Sequence, residues 1–240
     1  MRTALITGSS GSIGAAIAEQ FTMSGLKVFL TGRDEGKLKI QAKKCEQADY
    51  LKIDLIQDGA TEALFEAAKS SLGQIDVLIN NAGTYEWGLL ERLERLEETL
   101  KLNVQVPIEL CQLVLPDMKK RKTGRIVNIG SISGAVGEAN ASIYSASKAA
   151  LIGFSKALAL EVAADGITVN VVNPGWVKTP MVISEIERGN LDEELELETV
   201  PQRRWVEPDE VAAMIVHLCK PQSRGITGQS INICAGLSLG

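Results

Sequence analysis

The stretch ALITGSSGSIGAAIAEQFTMSGLKVFLTG, residues 4–32, reads as strand, glycine-rich turn, helix and strand. ALIT at 4–7 is a short apolar run of strand length, and TGSSGSIG begins on its last residue. AAIAEQFTMSG then carries apolar residues at helical spacing and stops at Gly25, a residue suited to a helix C-cap. KVFLTG at 27–32 is the second strand. A glycine-rich turn between strand and helix presents backbone N–H groups and a helix N-terminus to an anion. Gly8, Ser9, Ser10, Gly11, Ser12 and Gly14 would line such a phosphate cradle. The same glycines also suit a tight turn with no ligand; the strand before and the helix after favour the cradle.

Outward from this unit, strand and helix keep alternating. Residues 34–48 are helix-compatible, and YLKIDL at 50–55 is a third strand whose Asp54 either caps the next turn or meets an adenine. A helix over 61–71 precedes IDVLIN at 75–80, which closes in NNAG, a plain turn or a strand-end loop beside a ligand. Residues 93–118 read as one long helix with Asn103 inside it, an awkward residue for a helix interior unless its amide is used. RIVNIG at 125–130 and TVNVVNPG at 168–175 are further strands. The helix over 144–164 between them is apolar nearly all round, so a single layer on a sheet would leave one face for another subunit. Residues 180–200 are acidic, with Glu185, Glu187, Asp192, Glu193, Glu194, Glu196 and Glu198 against Arg188. They read as two short helices, either a lid over the strand ends or a solvated surface. PDEVAAMIVHLC at 208–219 is a helix with proline at its start, and QSINIC at 229–234 is the last strand. The alternation predicts an α/β fold: one doubly wound, Rossmann-type parallel sheet of about seven strands with helices on both faces, a single domain over residues 1–240.

Composition narrows the function classes. Of 240 residues, 45% are hydrophobic and 23% charged, ordinary for a chain that buries a core. A net charge of −5 argues against a general affinity for nucleic acid or membrane. No apolar run is long enough to span a bilayer, and the one before Gly8 is too short for a signal peptide. Cys45, Cys111, Cys219 and Cys234 form no C-x-x-C and read as reduced thiols of a cytoplasmic protein. His217 is the only histidine and reads as structural, so no metal site is expected.

The chemistry centres on SISGAVGEANASIYSASK, residues 131–148. Tyr144 and Lys148 are one helical turn apart and share a face. An ammonium beside a phenol favours the phenolate and lowers a pKa that is ordinarily about 10, which makes the tyrosine usable as acid or base. Ser131 stands just after the strand at 125–130, where a hydroxyl can bond the same substrate oxygen. A Y-x-x-x-K pair alone is ordinary helix-surface spacing, and its company decides the matter.

That company is TGSSGSIG, NNAG, Asn103, Ser131, Tyr144-x-x-x-Lys148 and Pro174-Gly175, and in this order it resembles the short-chain dehydrogenase/reductases over essentially the whole chain. The segments at 148–175 and 200–212 are most similar to the bacterial 3-oxoacyl-ACP reductases. The resemblance implies that Tyr144 exchanges a proton with the substrate oxygen and that Ser131 hydrogen-bonds it. Lys148 then holds the nicotinamide ribose and depresses the tyrosine pKa, and Asn103 anchors a water that relays protons to Lys148. It implies a cofactor surface of Gly8, Ser10, Ser12, Ile13, Gly14, Arg33, Asp54, Leu55, Asn81, Ala82, Gly83, Tyr144, Lys148, Pro174, Gly175, Val177 and Thr179. The family fingerprint has a glycine where this chain has Ser12, which bears on how closely a pyrophosphate can approach.

Members of the family that prefer NAD carry an acid where this chain has Gly32, and Arg33 follows, suited to a 2′-phosphate. NADP(H) is therefore favoured over NAD(H), the plain alternative being that Arg33 is a surface residue paired with Asp34 or Glu35. Tyr85, Trp87, Ser133 and Trp176 are candidates for the substrate pocket. Lys122 and Arg125 could meet an acidic carrier protein, but Asp165 stands where the carrier-protein reductases tend to have a base. The expected activity is NADP(H)-dependent reduction of a carbonyl, with a 3-oxoacyl thioester, CoA- or ACP-linked, as one substrate class. The alternatives are an NAD-linked dehydrogenase of a polyol, sugar or hydroxysteroid, and a cofactor-binding protein without catalysis. A homotetramer is expected, as is usual in the family.

Overall fold

A computed structural model describes residues 2–46 and 48–239. Seven parallel strands form one sheet: β1 (Thr3–Ile6), β2 (Lys27–Gly32), β3 (Asp49–Lys52), β4 (Val77–Asn80), β5 (Gly124–Ile129), β6 (Ile167–Pro174) and β7 (Ser230–Ile233). Their order is β3-β2-β1-β4-β5-β6-β7, so the winding reverses between β1 and β4. The crevice at such a reversal is where doubly wound sheets bind ligands.

Both faces are covered, and the apolar runs divide accordingly. In β1, Ala4 and Ile6 turn to one side, against Ile17 and Phe21 of α1 (Ser12–Met23), Leu38 of α2 (Glu35–Lys44) and Ile215 of the C-terminal helix. Leu5 turns to the other side, against Leu64 of α3 (Ala60–Leu72) and the long helices after β4 and β5. A strand with helices on each side can use an apolar residue at every position, which explains the unbroken runs in the sequence. Local chemistry sets the helix starts. Asp34 accepts the Lys37 N–H at 3.0 Å to cap α2, and Gly25, at φ +79°, lets the chain leave α1 toward β2.

Three sequence expectations are corrected. The third strand ends at Lys52, leaving Asp54 and Leu55 beyond the ladder in the turn. The expected helix over 93–118 is three pieces, α4 (Leu96–Leu100), a π-helical turn (Lys101–Gln105) and α5 (Val106–Arg121). Pro107 lacks the N–H that a regular helix would aim at the Asn103 carbonyl, and the Asn103 side chain is drawn inward to Thr84, so the ladder widens there. A short helix the sequence did not announce, α6 (Ser133–Val136), precedes α7 (Ser142–Val162).

The chain after β6 carries α8 (Pro180–Glu187), capped by Thr179, and α9 (Glu193–Thr199), capped by Asp192. α10 (Pro208–Cys219) begins in a reciprocal cap between Glu207 and Glu210. No helix among the described residues is long and apolar enough to cross a membrane.

Candidate active site

A cleft of about 1430 Å³ opens along the carboxyl ends of the strands. Its floor at one end is the turn after β1. Gly8 takes φ +68°, and a Cβ on Gly14 would lie 2.4 Å from the Gly8 carbonyl oxygen, so only glycine lets α1 sit this close on the turn. Among the described residues no side chain caps α1 and no acid stands in its first turn, so its N–H groups and positive dipole end are left for a ligand. That arrangement fits a pyrophosphate. Ser12 opens α1 and lines the cleft, so the departure from the family fingerprint adds a hydroxyl beside these N–H groups without removing a donor.

The turn is stitched to the end of β4 by a residue the sequence reading passed over. The Thr7 hydroxyl accepts the N–H of Asn81 and of Ala82, each at 2.9 Å, and Asn81 Nδ2 returns bonds to the Thr7 and Gly8 carbonyls. NNAG is thereby a cleft wall.

At the end of β2, a Cβ on Gly32 would stand 2.4 Å from Ser10 Oγ, so Ser10 fills the place an acidic side chain would need. Arg33 lines the cleft, and among the described residues it has no ion-pair partner. The acids beside it are engaged elsewhere: Asp34 caps α2 and Glu35 pairs with Lys39 at 2.8 Å. Asp54 lines the same end and holds the Ile56 N–H only loosely, at 3.4 Å.

Every catalytic, cofactor and substrate-pocket residue named from the sequence lines this cleft except Asn103, which is 1% exposed and stands behind it. Asn103 Oδ1 accepts the Thr84 N–H at 2.9 Å, and its Nδ2 donates to the Thr84 carbonyl and to Ser147 Oγ. Asn103 and Lys148 both border Gly83: a Cβ there would lie 3.2 Å from Asn103 Oδ1 and 3.5 Å from Lys148 Nζ.

Ser131, Tyr144 and Lys148 meet on the opposite wall. Ser131 stands beside the Tyr144 hydroxyl, where it favours the phenolate. Lys148 Nζ sits 5.6 Å from the centre of the Tyr144 ring and donates to the Ile129 carbonyl at 2.8 Å. The expected depression of the phenol does not hold. Burial pushes Tyr144 up to about 12, outweighing the Ser131 hydrogen bond, while the nearby Glu138 carboxylate pushes it up further. Lys148, 4% exposed, is itself pushed down to about 8 by burial. Desolvation therefore dominates both members of the pair.

The substrate end holds a group that no sequence spacing signalled. Glu138, in the loop between α6 and α7, accepts from the Tyr85 hydroxyl at 2.7 Å and from Ser133 Oγ at 2.6 Å. Tyr85 stands edge-on to Tyr144 with ring centres 4.9 Å apart. Glu185 of α8 and Glu196 of α9 line the same end beside Trp176, and burial, reinforced by Glu138, raises the Glu196 carboxyl. Only the folding of one loop and two helices onto one another brings these acids together. Lys122 and Arg125 are not near the cleft: they lie at and before the start of β5, at the amino ends of the strands, and Lys122 pairs with Asp165.

A family model described as short chain dehydrogenase matches residues 2–189. The chain is 36% identical to the 3-oxoacyl-[acyl-carrier-protein] reductase FabG of Haemophilus influenzae, covering 99% of this chain and 98% of that one. It is 34% identical to a D-beta-hydroxybutyrate dehydrogenase of Cupriavidus necator, covering 98% and 97%. Among solved structures, a variant of the actinorhodin polyketide ketoreductase with NADPH superposes with a TM-score of 0.94 at 37% identity, covering 99% of this chain and 97% of that one.

Proposed function

The chain belongs to the short-chain dehydrogenase family and is an NAD(P)-dependent oxidoreductase, and from that premise we propose that it reduces the ketone of a 3-oxoacyl compound with NADPH. The observation that carries this reading is the meeting of Ser131, Tyr144 and Lys148 across one cleft from an uncapped α1. The N–H groups of Ser12, Ile13 and Gly14 would hold the pyrophosphate, Lys148 and Tyr144 the nicotinamide ribose, and Arg33 a 2′-phosphate. Ser10, occupying the space beside Gly32, disfavours the carboxylate that would select NAD. The bound nicotinamide supplies hydride.

The rest of the chemistry belongs to the chain. Tyr144, held near 12, is fully protonated at neutral pH and serves as the acid that protonates the substrate oxygen. Ser131 holds that oxygen in place, and the surrounding walls keep water away. Lys148 and Asn103, flanking Gly83, form the inner end of the path along which the tyrosine recovers its proton. α8 and α9, which carry Glu185 and Glu196 into the cleft, act as the lid.

The chain works as a homotetramer. The exposed face of α7 carries Ala146, Ala149, Ala150, Gly153, Ala157 and Leu160, a stripe of small and apolar residues that supports close packing against a second copy. The four cysteines, all buried and unpaired, support a reducing compartment, the cytoplasm.

Loss of NADPH absorbance with acetoacetyl-CoA and a panel of simple ketones tests the activity. A 3-oxoacyl thioester is expected to turn over, and Tyr144→Phe to lose at least about a hundredfold in kcat. Binding of NADPH without turnover of any ketone would sink the substrate class, and a preference for NADH would move the chain to the NAD-linked alternative.

A further inference from the structure

One hydrogen-bonded chain reaches Ser131 through residues that have no part in the roles above. It runs from Tyr85 to Glu138, on to Ser133 and then to Ser131. The Tyr85 hydroxyl donates to Glu138 Oε1 at 2.7 Å, and Ser133 Oγ donates to Glu138 Oε2 at 2.6 Å. Ser133 Oγ stands 2.9 Å from Ser131 Oγ, which also accepts the Ser133 N–H at 3.1 Å. A carboxylate has no hydrogen to give. Ser133 has one, and Glu138 takes it. In the serine pair Ser133 must then accept, and Ser131 must donate. The Ser131 hydrogen is thus turned toward Ser133, and a Ser131 lone pair is left for the reacting oxygen.

We propose that Glu138 is a positioning residue: acting through Ser133, it turns the Ser131 hydroxyl so that it meets the reacting oxygen as an acceptor. That form suits an alcohol. A carbonyl oxygen can only accept, so to hold it Ser131 must first swing its hydrogen off Ser133. The wire therefore biases the site toward the alcohol over the ketone. This inference rests on the carbonyl–alcohol reading of the site. The charged and titrating groups around Tyr144 are Lys148 from its own helix, Glu138 from the loop before α7, and Tyr85 from the loop after β4, with Glu185 of α8 reaching Tyr85.

Ser133→Ala removes the acceptor without changing the charge of the site, and leaves Ser131 free to donate. Two readouts are taken on the full chain. In the first, the three tyrosines are labelled at Cζ and titrated by NMR, with Tyr144 assigned from Tyr144→Phe. Tyr144 is expected to lose its proton at a lower pH in Ser133→Ala, because Ser131 then donates to the phenolate. In the second, KM is compared for acetoacetyl-CoA and for 3-hydroxybutyryl-CoA. The ketone is expected to gain about fivefold on the alcohol, the size of one neutral hydrogen bond. Ser133→Thr, which restores the hydroxyl, should return both values to native.

A Tyr144 midpoint that stays or rises overturns the proposal, as does a rise of both KM values together, the sign of a loosened pocket. If Ser133→Ala does not fold, Ser133→Cys, with its weakly accepting sulfur, takes its place with the same expected directions. If the native chain turns over neither compound, the substrate reading fails, and the tyrosine titration still decides the role of Glu138.

Discussion

Burial in the cleft wall moves the two titrating partners of the site in opposite directions, Tyr144 up to about 12 and Lys148 down to about 8. Each shift disfavours the charged form, which identifies desolvation as the cause. For Lys148 the shift carries a cost in stability. Its unfolded value is near 10.5, so the unfolded chain holds this proton more tightly than the folded one. The destabilisation is complete below pH 8, fades as pH rises from about 8 toward about 10.5, and is gone only above that, where both states are neutral. Lys148→Met should therefore raise the unfolding free energy at pH 7 by on the order of 3 kcal/mol while abolishing turnover. Urea denaturation at pH 7 and at pH 10.5 checks this, with the gain nearly gone at the higher pH. The residue identities of the catalytic set were legible from their spacing, but the direction of the tyrosine shift was not. It depends on how much water reaches the phenol, and no local sequence encodes that.

At the scale of elements, the widened turn at Asn103 shows how a helix is bent to serve the loop beside it. The sequence flagged Asn103 as awkward in a helix and Pro107 lies four residues on, yet one continuous helix was the simplest reading. Its amide closes the loop after β4 by pairing both polar groups of the Thr84 backbone. Asn103→Ala leaves the buried Thr84 N–H without a partner, and should cost about 2 kcal/mol in denaturant unfolding. Turnover should fall with it, because the same loop carries Tyr85 to the substrate end. A variant as stable and active as the native chain would remove Asn103 from both roles. Helix boundaries elsewhere were more readable. Asp34, Pro208 and Gly25 act through their own backbone and nearest turn, so position in sequence was enough.

For the whole molecule, the question is which surfaces the layers leave over. α7 buries Leu151, Leu158 and Val162 against the sheet, while Leu160 is 84% exposed on the other side. A charge at the C-terminal end of that outer stripe should break association between copies without touching the core. Leu160→Glu is expected to shift the sedimentation coefficient from a tetramer toward dimer or monomer with the fold retained by circular dichroism. A native chain that sediments as a monomer at micromolar concentration overturns the tetramer itself. The acidic balance of the molecule has a local side as well, since Glu138, Glu185 and Glu196 line the substrate end while Lys122 and Arg125 lie at the far end of the sheet. Parallel strands send every carboxyl end to one edge, so residues at the start of β5 cannot share a cleft with residues beyond its end.

The sequence by itself determined the order of strands and helices, the glycine turn on which α1 rests, and the identity of Ser131, Tyr144 and Lys148. These follow from hydrophobic period, from glycine's freedom and from fixed offsets along one chain, all of which are short-range. Only the tertiary structure decided that Glu138 stands between Tyr85 and Ser133, that Ser10 fills the space beside Gly32, and that burial outweighs Ser131 at the phenol. Each of these depends on residues far apart in sequence sharing one water-poor volume. Desolvation and contact act through distance in space, to which the order of residues along the chain is blind.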